Sequence, residues 1–224
     1  MKPVAIIPAR GGSNRLARKN ILPLLGKPMI GWPIEAALKS GVFADVIVST
    51  EDNEIKKIAL ECGAKVVDRP AELATDTAME IDVYEQVLSA LPHKPDMFCA
   101  IYATAVLLHP EDFQTSHEAF KDADAMMSVS DYAIHPFKAL HENKDGFLEM
   151  VHPVECKQRS QTYPRYVASN GTFYWLNTEA YMQHKSYYPP RLMPYILPST
   201  RAVDIDTAED LKIAEAMLKV QHEL

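Results

Sequence analysis

Apolar residues along the chain fall into short runs separated by amphipathic stretches. Val4 to Pro8 is one such run, broken by Gly11-Gly12. Asp45 to Thr50 (DVIVST), Ala64 to Val67, Met97 to Tyr102 and Ala125 to Val129 repeat the pattern. Short apolar runs bounded by turn residues predict strands. Met29 to Lys39 instead carries Ile30, Ile34, Ala37 and Leu38 on one helical face, with Pro33 tolerable near the first turn. Asn53 to Glu61, with Gly63 where a C-terminal cap is expected, Ala78 to Leu91 and Pro110 to Phe120 predict further helices. Strand and helix alternate over short connections. That predicts an α/β fold, a mostly parallel sheet with helices on both faces. Such sheets take ligands beyond the carboxyl ends of their strands, so Arg10–Asn20, Thr50–Asn53 and Ala103–His109 are expected at the functional edge.

The alternation breaks over residues 131–170, which are rich in Pro, His and charge, with a hairpin turn expected at His141 to Phe147. This segment reads as an arm inserted into one domain spanning residues 1–224. Thr172 to Leu176 returns to the sheet, Ala202 to Asp206 is expected as a final strand, and a helix follows from Thr207 to about Gln221.

Composition narrows the class. The hydrophobic fraction of 47% and charged fraction of 24% are those of a globular protein and exclude a disordered or collagen-like chain. With 23 Lys+Arg against 30 Asp+Glu the chain carries −7, which argues against bulk binding of nucleic acid. Cys62, Cys99 and Cys156 are too scattered for a disulfide framework or a structural zinc site. No apolar run reaches the ~20 residues that span a bilayer, and MKPVAIIPARGG breaks before a signal-peptide core forms. A soluble cytoplasmic protein is expected.

Against this acidic background, Ile6–Asn20 (IIPARGGSNRLARKN) concentrates Arg10, Arg15, Arg18 and Lys19 around Gly11-Gly12-Ser13, just after a strand. Glycines bring backbone N–H groups close to an anion, and Arg and Lys neutralise phosphate. The GxGxxG and GxxxxGK[ST] patterns are both absent, so this is a phosphate loop of another class, or else a solvated basic turn. Asp204 and Asp206, two apart at the predicted strand end, place two hard oxygen ligands on one face, which suits Mg²⁺. The alternative is a helix cap, with Asp206 at N-cap and Glu209 at N3. His109, His117, His152 and His184 have no partners at metal spacing and read as surface or structural.

IIPARGGSNRLARKN, with GKPMIGWPIEAAL, VIVSTEDNEI, VDRPAELATDT and VDIDTAEDL in that order, resembles the acylneuraminate cytidylyltransferases, the CMP-sialic acid synthetases. The resemblance spans nearly the whole chain. Within that family IYATA, RSQ and FYW look most like the pseudaminic acid cytidylyltransferases, while Asn170-Gly171 is nearer the sialic pattern and Tyr174 lies in FYW. The resemblance implies transfer of CMP from CTP to a nine-carbon 2-keto acid sugar, with pyrophosphate released. Pseudaminic acid is the first choice, sialic or legionaminic acid the alternative, and a sugar-nucleotide-binding protein without turnover the non-enzymatic one. It implies that Arg10, Ser13 and Lys19 hold the triphosphate, that Asn20 and Arg69 lie at the nucleotide, and that Asp204 and Asp206 bind Mg²⁺ rather than cap a helix. Arg10, Lys19 and the two aspartates would then act in catalysis. It also implies that the arm makes a homodimer and that Lys138 of HPFK reaches the partner's sugar site, with Tyr102, Thr104, Arg159, Gln161 and Arg165 as further candidates for holding the acidic sugar. Asn14, where the family usually has Lys, and Met79 and Glu80, where small hydroxyl residues are frequent in the sialic branch, depart from the pattern.

Overall fold

In a computed structural model the protein is described over residues 2–13 and 15–223; Asn14 lies outside the described residues. The elements are β1 Val4–Pro8, β2 Pro23–Leu24, β3 Lys27–Pro28, α1 Gly31–Ser40, β4 Asp45–Thr50, α2 Asn53–Glu61, β5 Lys65–Asp68, α3 Glu80–Ala90, β6 Met97–Ile101, α4 Pro110–Ala119, β7 Ala125–Asp131, β8 Leu140–Glu142, β9 Leu148–Met150, β10 Val167–Asn177, α5 Thr178–His184, β11 Leu192–Ile196 and α6 Ala208–Glu223. The main sheet runs β11-β7-β10-β6-β1-β4-β5. All its pairings are parallel except those of β10, which lies antiparallel to both β6 and β7.

The apolar strands are covered on both faces. Ala5, Ile7, Val46, Val48, Cys99 and Trp175 pack toward Ile34, Ile55 and Phe113 of α1, α2 and α4. Their neighbours Val4, Ile6, Ile47, Phe98 and Ala100 pack toward Ile81, Tyr84, Val87 and Leu88 of α3. The period of two along each strand divides its side chains between these two layers. From β1 the chain proceeds to β4 and β5 on one side and then returns to place β6 on the other. The strand order therefore reverses at β1/β6, and a crevice opens there beyond the carboxyl ends.

Three expectations change. Residues 202–206 join no sheet. Their alternation is genuine, because Ile205 is fully buried with Val106, Leu107, Ala214 and Leu218, but it is met by packing under α6 rather than by strand pairing. The last strand is instead β11, an edge strand containing Pro194, whose missing N–H suits an edge position. Residues 103–108, part of a loop expected at the functional edge, are buried and line neither the crevice nor its neighbouring cavity. The segment after β7 leaves the sheet as the arm and carries the small β8–β9 hairpin. It has a cluster of its own at the base: His135 lies 4.7–4.8 Å from the rings of Phe137, Tyr163 and Tyr166. No described helix is long and apolar enough to cross a membrane.

Candidate active site

The crevice is a cavity of about 600 Å³ lined on one side by Arg10, Gly12, Ser13, Arg15, Lys19 and Asn20, and on the other by Arg69, Leu73, Thr75, Ala78, Glu80 and Val83. The phosphate-loop candidates and Arg69, 49 or more residues later in the chain, thus meet around one space. Several contacts fix the loop. The Asn20 side-chain amide donates to the Arg10 carbonyl at 3.0 Å, tying the loop's two ends together. Gly11 does not line the cavity. Its N–H donates to Glu51 at 2.7 Å, and a Cβ there would sit 2.6 Å from an Asp52 carboxylate oxygen, so only glycine passes this point.

The loop's cations divide between two tasks. Arg18 turns away from the cavity, takes a left-handed backbone (φ 55°), and holds Asp52 at 2.5 and 2.9 Å and Glu54 at 2.5 Å. Asp52 is also the N-cap of α2, accepting from the Glu54 and Ile55 N–H groups at 2.9 Å. The Arg18 guanidinium holds the Asp52 carboxyl down at about 2 against its ordinary value of 3.8. Arg10, Arg15 and Lys19 face the cavity. Arg10 pairs with Asp76 at 2.6 Å, while Arg15 and Lys19 both pair with Asp206 at 2.5 and 2.9 Å. Arg69 is buried, which lowers its pKa, and its guanidinium donates to Ser49 Oγ at 3.2 Å and to the Ser49 carbonyl at 2.8 Å.

Asp206 does not cap α6. Thr207 and Asp210 do: Asp210 accepts from the Asp206 and Thr207 N–H groups at 3.1 and 2.8 Å, and its own N–H donates to Thr207 Oγ1 at 3.2 Å. The Asp206 carboxylate is thereby left for the cations of the loop. Asp204 lines a second cavity of about 490 Å³ together with Ser130, Asp131, Ser169, Asn170 and Gly171. Its pKa is raised, first by desolvation and then by the Asp206 charge. Asp204 thus lines the second cavity, while Asp206 is tied to the first through Arg15 and Lys19, which line it.

This donor set fits Mg²⁺. Among the described residues no group of three or more His, Cys, Asp and Glu side chains forms a closed metal cage. Mg²⁺ needs none, since one or two carboxylates with water and substrate phosphates complete its shell. Asp204, which lines the second cavity, and Asp206, which repels it and pairs with the loop cations of the first, are the residues that would hold it.

The sugar-side candidates are only partly gathered. Asn170 lines the second cavity, but its side chain is spent on structure. Its Oδ1 accepts from Ser128 and Thr172 at 2.7 and 2.9 Å and its Nδ2 donates to Ser130 at 3.1 Å, pinning the irregular pairing of β10 on β7. Tyr174 is buried, and its hydroxyl meets Ser169 of that cavity at 2.7 Å. Tyr102 donates to Glu80 at 3.1 Å behind the first cavity. Thr104 is buried in the turn after β6. Lys138, Arg159 and Gln161 are exposed on the arm and reach neither cavity of their own chain, and Lys138 lines a third of about 310 Å³ with Ile134, His135 and Tyr163. Arg165 is paired with Asp131 at 2.7 and 2.9 Å. His109 donates its backbone N–H to Asp112 at the start of α4, and the His117 ring lies 5.3 Å from Trp175. Glu80 and Tyr187, whose hydroxyl donates to Glu80 at 2.6 Å, have no motif to announce them. Their 107-residue separation is closed only by the fold.

Comparison with known proteins agrees with this geometry. Residues 4–223 match the family model described as cytidylyltransferase. The chain is 34% identical, over its full length and 99% of the relative, to a pseudaminic acid cytidylyltransferase of Campylobacter jejuni. It is 34% identical over 94% of its length to an N-acylneuraminate cytidylyltransferase of Streptococcus agalactiae, of which it covers 52%. In fold it is similar to a CMP:2-keto-3-deoxy-manno-octonic acid synthetase complexed with CTP, with TM-score 0.73 at 19% identity, covering 99% of this chain and 100% of that one.

Proposed function

The chain belongs to the cytidylyltransferase family, and from that premise we propose that it transfers CMP from CTP to a nine-carbon 2-keto acid sugar, pseudaminic acid first, with release of pyrophosphate. The observation that carries this reading is the convergence of Arg10, Ser13, Lys19, Asn20 and Arg69 on one cavity at the β1/β6 reversal, with Asp206 ion-paired to Arg15 and Lys19 of that cavity and Asp204 lining a second.

Arg10, Arg15 and Lys19 take the triphosphate, giving up Asp76 and Asp206 as they do so. Arg69, fixed on Ser49, and Asn20 hold the nucleoside end. The acid sugar enters from the second cavity, and its anomeric hydroxyl attacks the α-phosphorus in line as pyrophosphate leaves. Catalysis is alignment and charge neutralisation rather than covalent chemistry on the protein. Asp204 and Asp206 would hold Mg²⁺, which would supply Lewis-acid polarisation of the α-phosphate. Asp206, once released by Lys19 and Arg15, becomes free to serve that ion.

The protein works in the cytoplasm as a homodimer. The arm's support for this is its exposed Ile134, Phe147, Leu148 and Val154, each about 70% open, an apolar set that a second copy would cover. Lys138 then reaches the sugar carboxylate of the partner's site. Mass analysis of products formed from CTP with pseudaminic, sialic and legionaminic acids tests the reading. A CMP adduct of pseudaminic acid at the highest kcat/KM is expected. A preference for either other acid reassigns the sugar, and absence of any CMP adduct removes the function.

A further inference from the structure

We propose that Glu80 is the acceptor for the ribose 2′-hydroxyl of the bound nucleotide and so sets the preference of this cleft for ribonucleotides over 2′-deoxyribonucleotides. The inference rests on the CTP reading above and adds a residue to it.

Glu80 lines the nucleotide cavity with Arg69. One of its oxygens, Oε2, accepts from both Tyr102 at 3.1 Å and Tyr187 at 2.6 Å. The tyrosines are themselves fixed, with the Tyr187 ring 4.6 Å from Tyr174 and the Tyr102 ring 5.9 Å from it. Burial, reinforced by the Glu80 charge, raises the pKa of both phenols, so they remain donors. Glu80 Oε1 accepts no hydrogen bond among the described residues. The side chain is therefore a carboxylate with one oxygen held by two fixed donors and the other without a donor among the described residues, on a cavity-lining residue that opens α3, where negative charge is favoured.

The ligand group must be a neutral donor. Phosphate oxygens would be repelled. The base lies toward Arg69, which follows β5 at the sheet edge, whereas Tyr102 follows β6 on the opposite side of β1. The group between base and α-phosphate on that side is the ribose, and a carboxylate accepting from a ribose 2′-hydroxyl is a recurring solution in open α/β sheets. A site built to bond a hydroxyl rejects the analogue lacking it, because its own polar group is then left unpaired.

The test measures Kd for CTP, 2′-deoxyCTP and UTP by calorimetry, and kcat/KM for CTP and 2′-deoxyCTP with the acid sugar. The variants are Glu80→Gln, Glu80→Ala and the double Tyr102→Phe/Tyr187→Phe. Wild-type protein is expected to favour CTP over 2′-deoxyCTP by roughly 10²-fold or more. Glu80→Gln, whose amide oxygen is claimed by the tyrosines, and Glu80→Ala should each cut that ratio at least tenfold by weakening CTP alone. The double Phe variant should cut it partially. An unchanged ratio with both nucleotides weakened equally makes Glu80 a structural residue and overturns the proposal, as does a change in the CTP:UTP ratio instead, or in the KM for the sugar alone. A wild-type protein that binds no CTP fails the functional reading itself, a result distinct from any of these.

Discussion

At Gly11 a single missing methyl group keeps the phosphate loop against α2. A Cβ would fall 2.6 Å from Asp52, the residue that also caps α2 and anchors Arg18. Gly11→Ala is expected to raise KM for CTP on the order of tenfold, with a smaller loss of kcat, because it displaces the loop rather than removing a charge. Asp52 itself links folding to pH. Its carboxyl is near 3.8 ordinarily and about 2 in the fold, so the stability it contributes is fully present above about pH 4 and is lost as pH falls through 2. Arg18→Ala should remove on the order of 1 kcal/mol at pH 7, after allowing for solvent around the pair, and much less near pH 2, as read from urea midpoints. Asp204→Asn and Asp206→Asn belong to the other class. Each should lower kcat by about 10²-fold, the scale of losing a main electrostatic stabiliser, with little change in Tm.

The elements show why that last separation is clean. The cap of α6 is Thr207 with Asp210, not Asp206. Thr207→Ala should therefore cost about 1 kcal/mol of stability and leave kcat nearly intact, the reverse of Asp206→Asn. A thermal shift paired with turnover for the two variants distinguishes them, and a kcat loss in both would break the assignment. In the sequence, β1, β4, β6, α2 and α4 were legible because each has one consistent period and a turn residue at its end. The sequence did not reveal β11, since Pro194 and half-exposed neighbours disguise an edge strand, nor α5, whose Asn177 cap sits at the end of an unbroken strand pattern. Val203–Asp206 was legible in its alternation but not in what satisfies it, because burial under α6 and pairing in a sheet leave the same pattern of two. In the site, Arg10, Ser13 and Lys19 were visible as a local cluster, and Asn20 and Arg69 only through resemblance. Glu80 and Tyr187 could not be paired without the fold.

On the scale of the whole molecule, the sugar-side cations Lys138 and Arg159 stand on the arm and line neither the first nor the second cavity of their own chain, while apolar side chains of the arm are exposed. If two chains share each site, mixing Lys138→Ala with Lys19→Ala subunits should recover activity. The first chain supplies an intact loop and the second an intact Lys138, leaving one complete site of two. No recovery, with a monomer by sedimentation, would contradict the shared site. Cytidylyl transfer itself does not depend on the dimer and is read from pyrophosphate release. Protein, Mg²⁺ and pseudaminic acid are incubated with CTP, UTP, ATP or GTP in turn, with the sugar or the metal omitted in parallel. Release should be rapid with CTP, dependent on both sugar and metal, and far slower with the other three. Comparable rates with UTP, or release that does not need the sugar, would contradict cytidylyl transfer to the sugar.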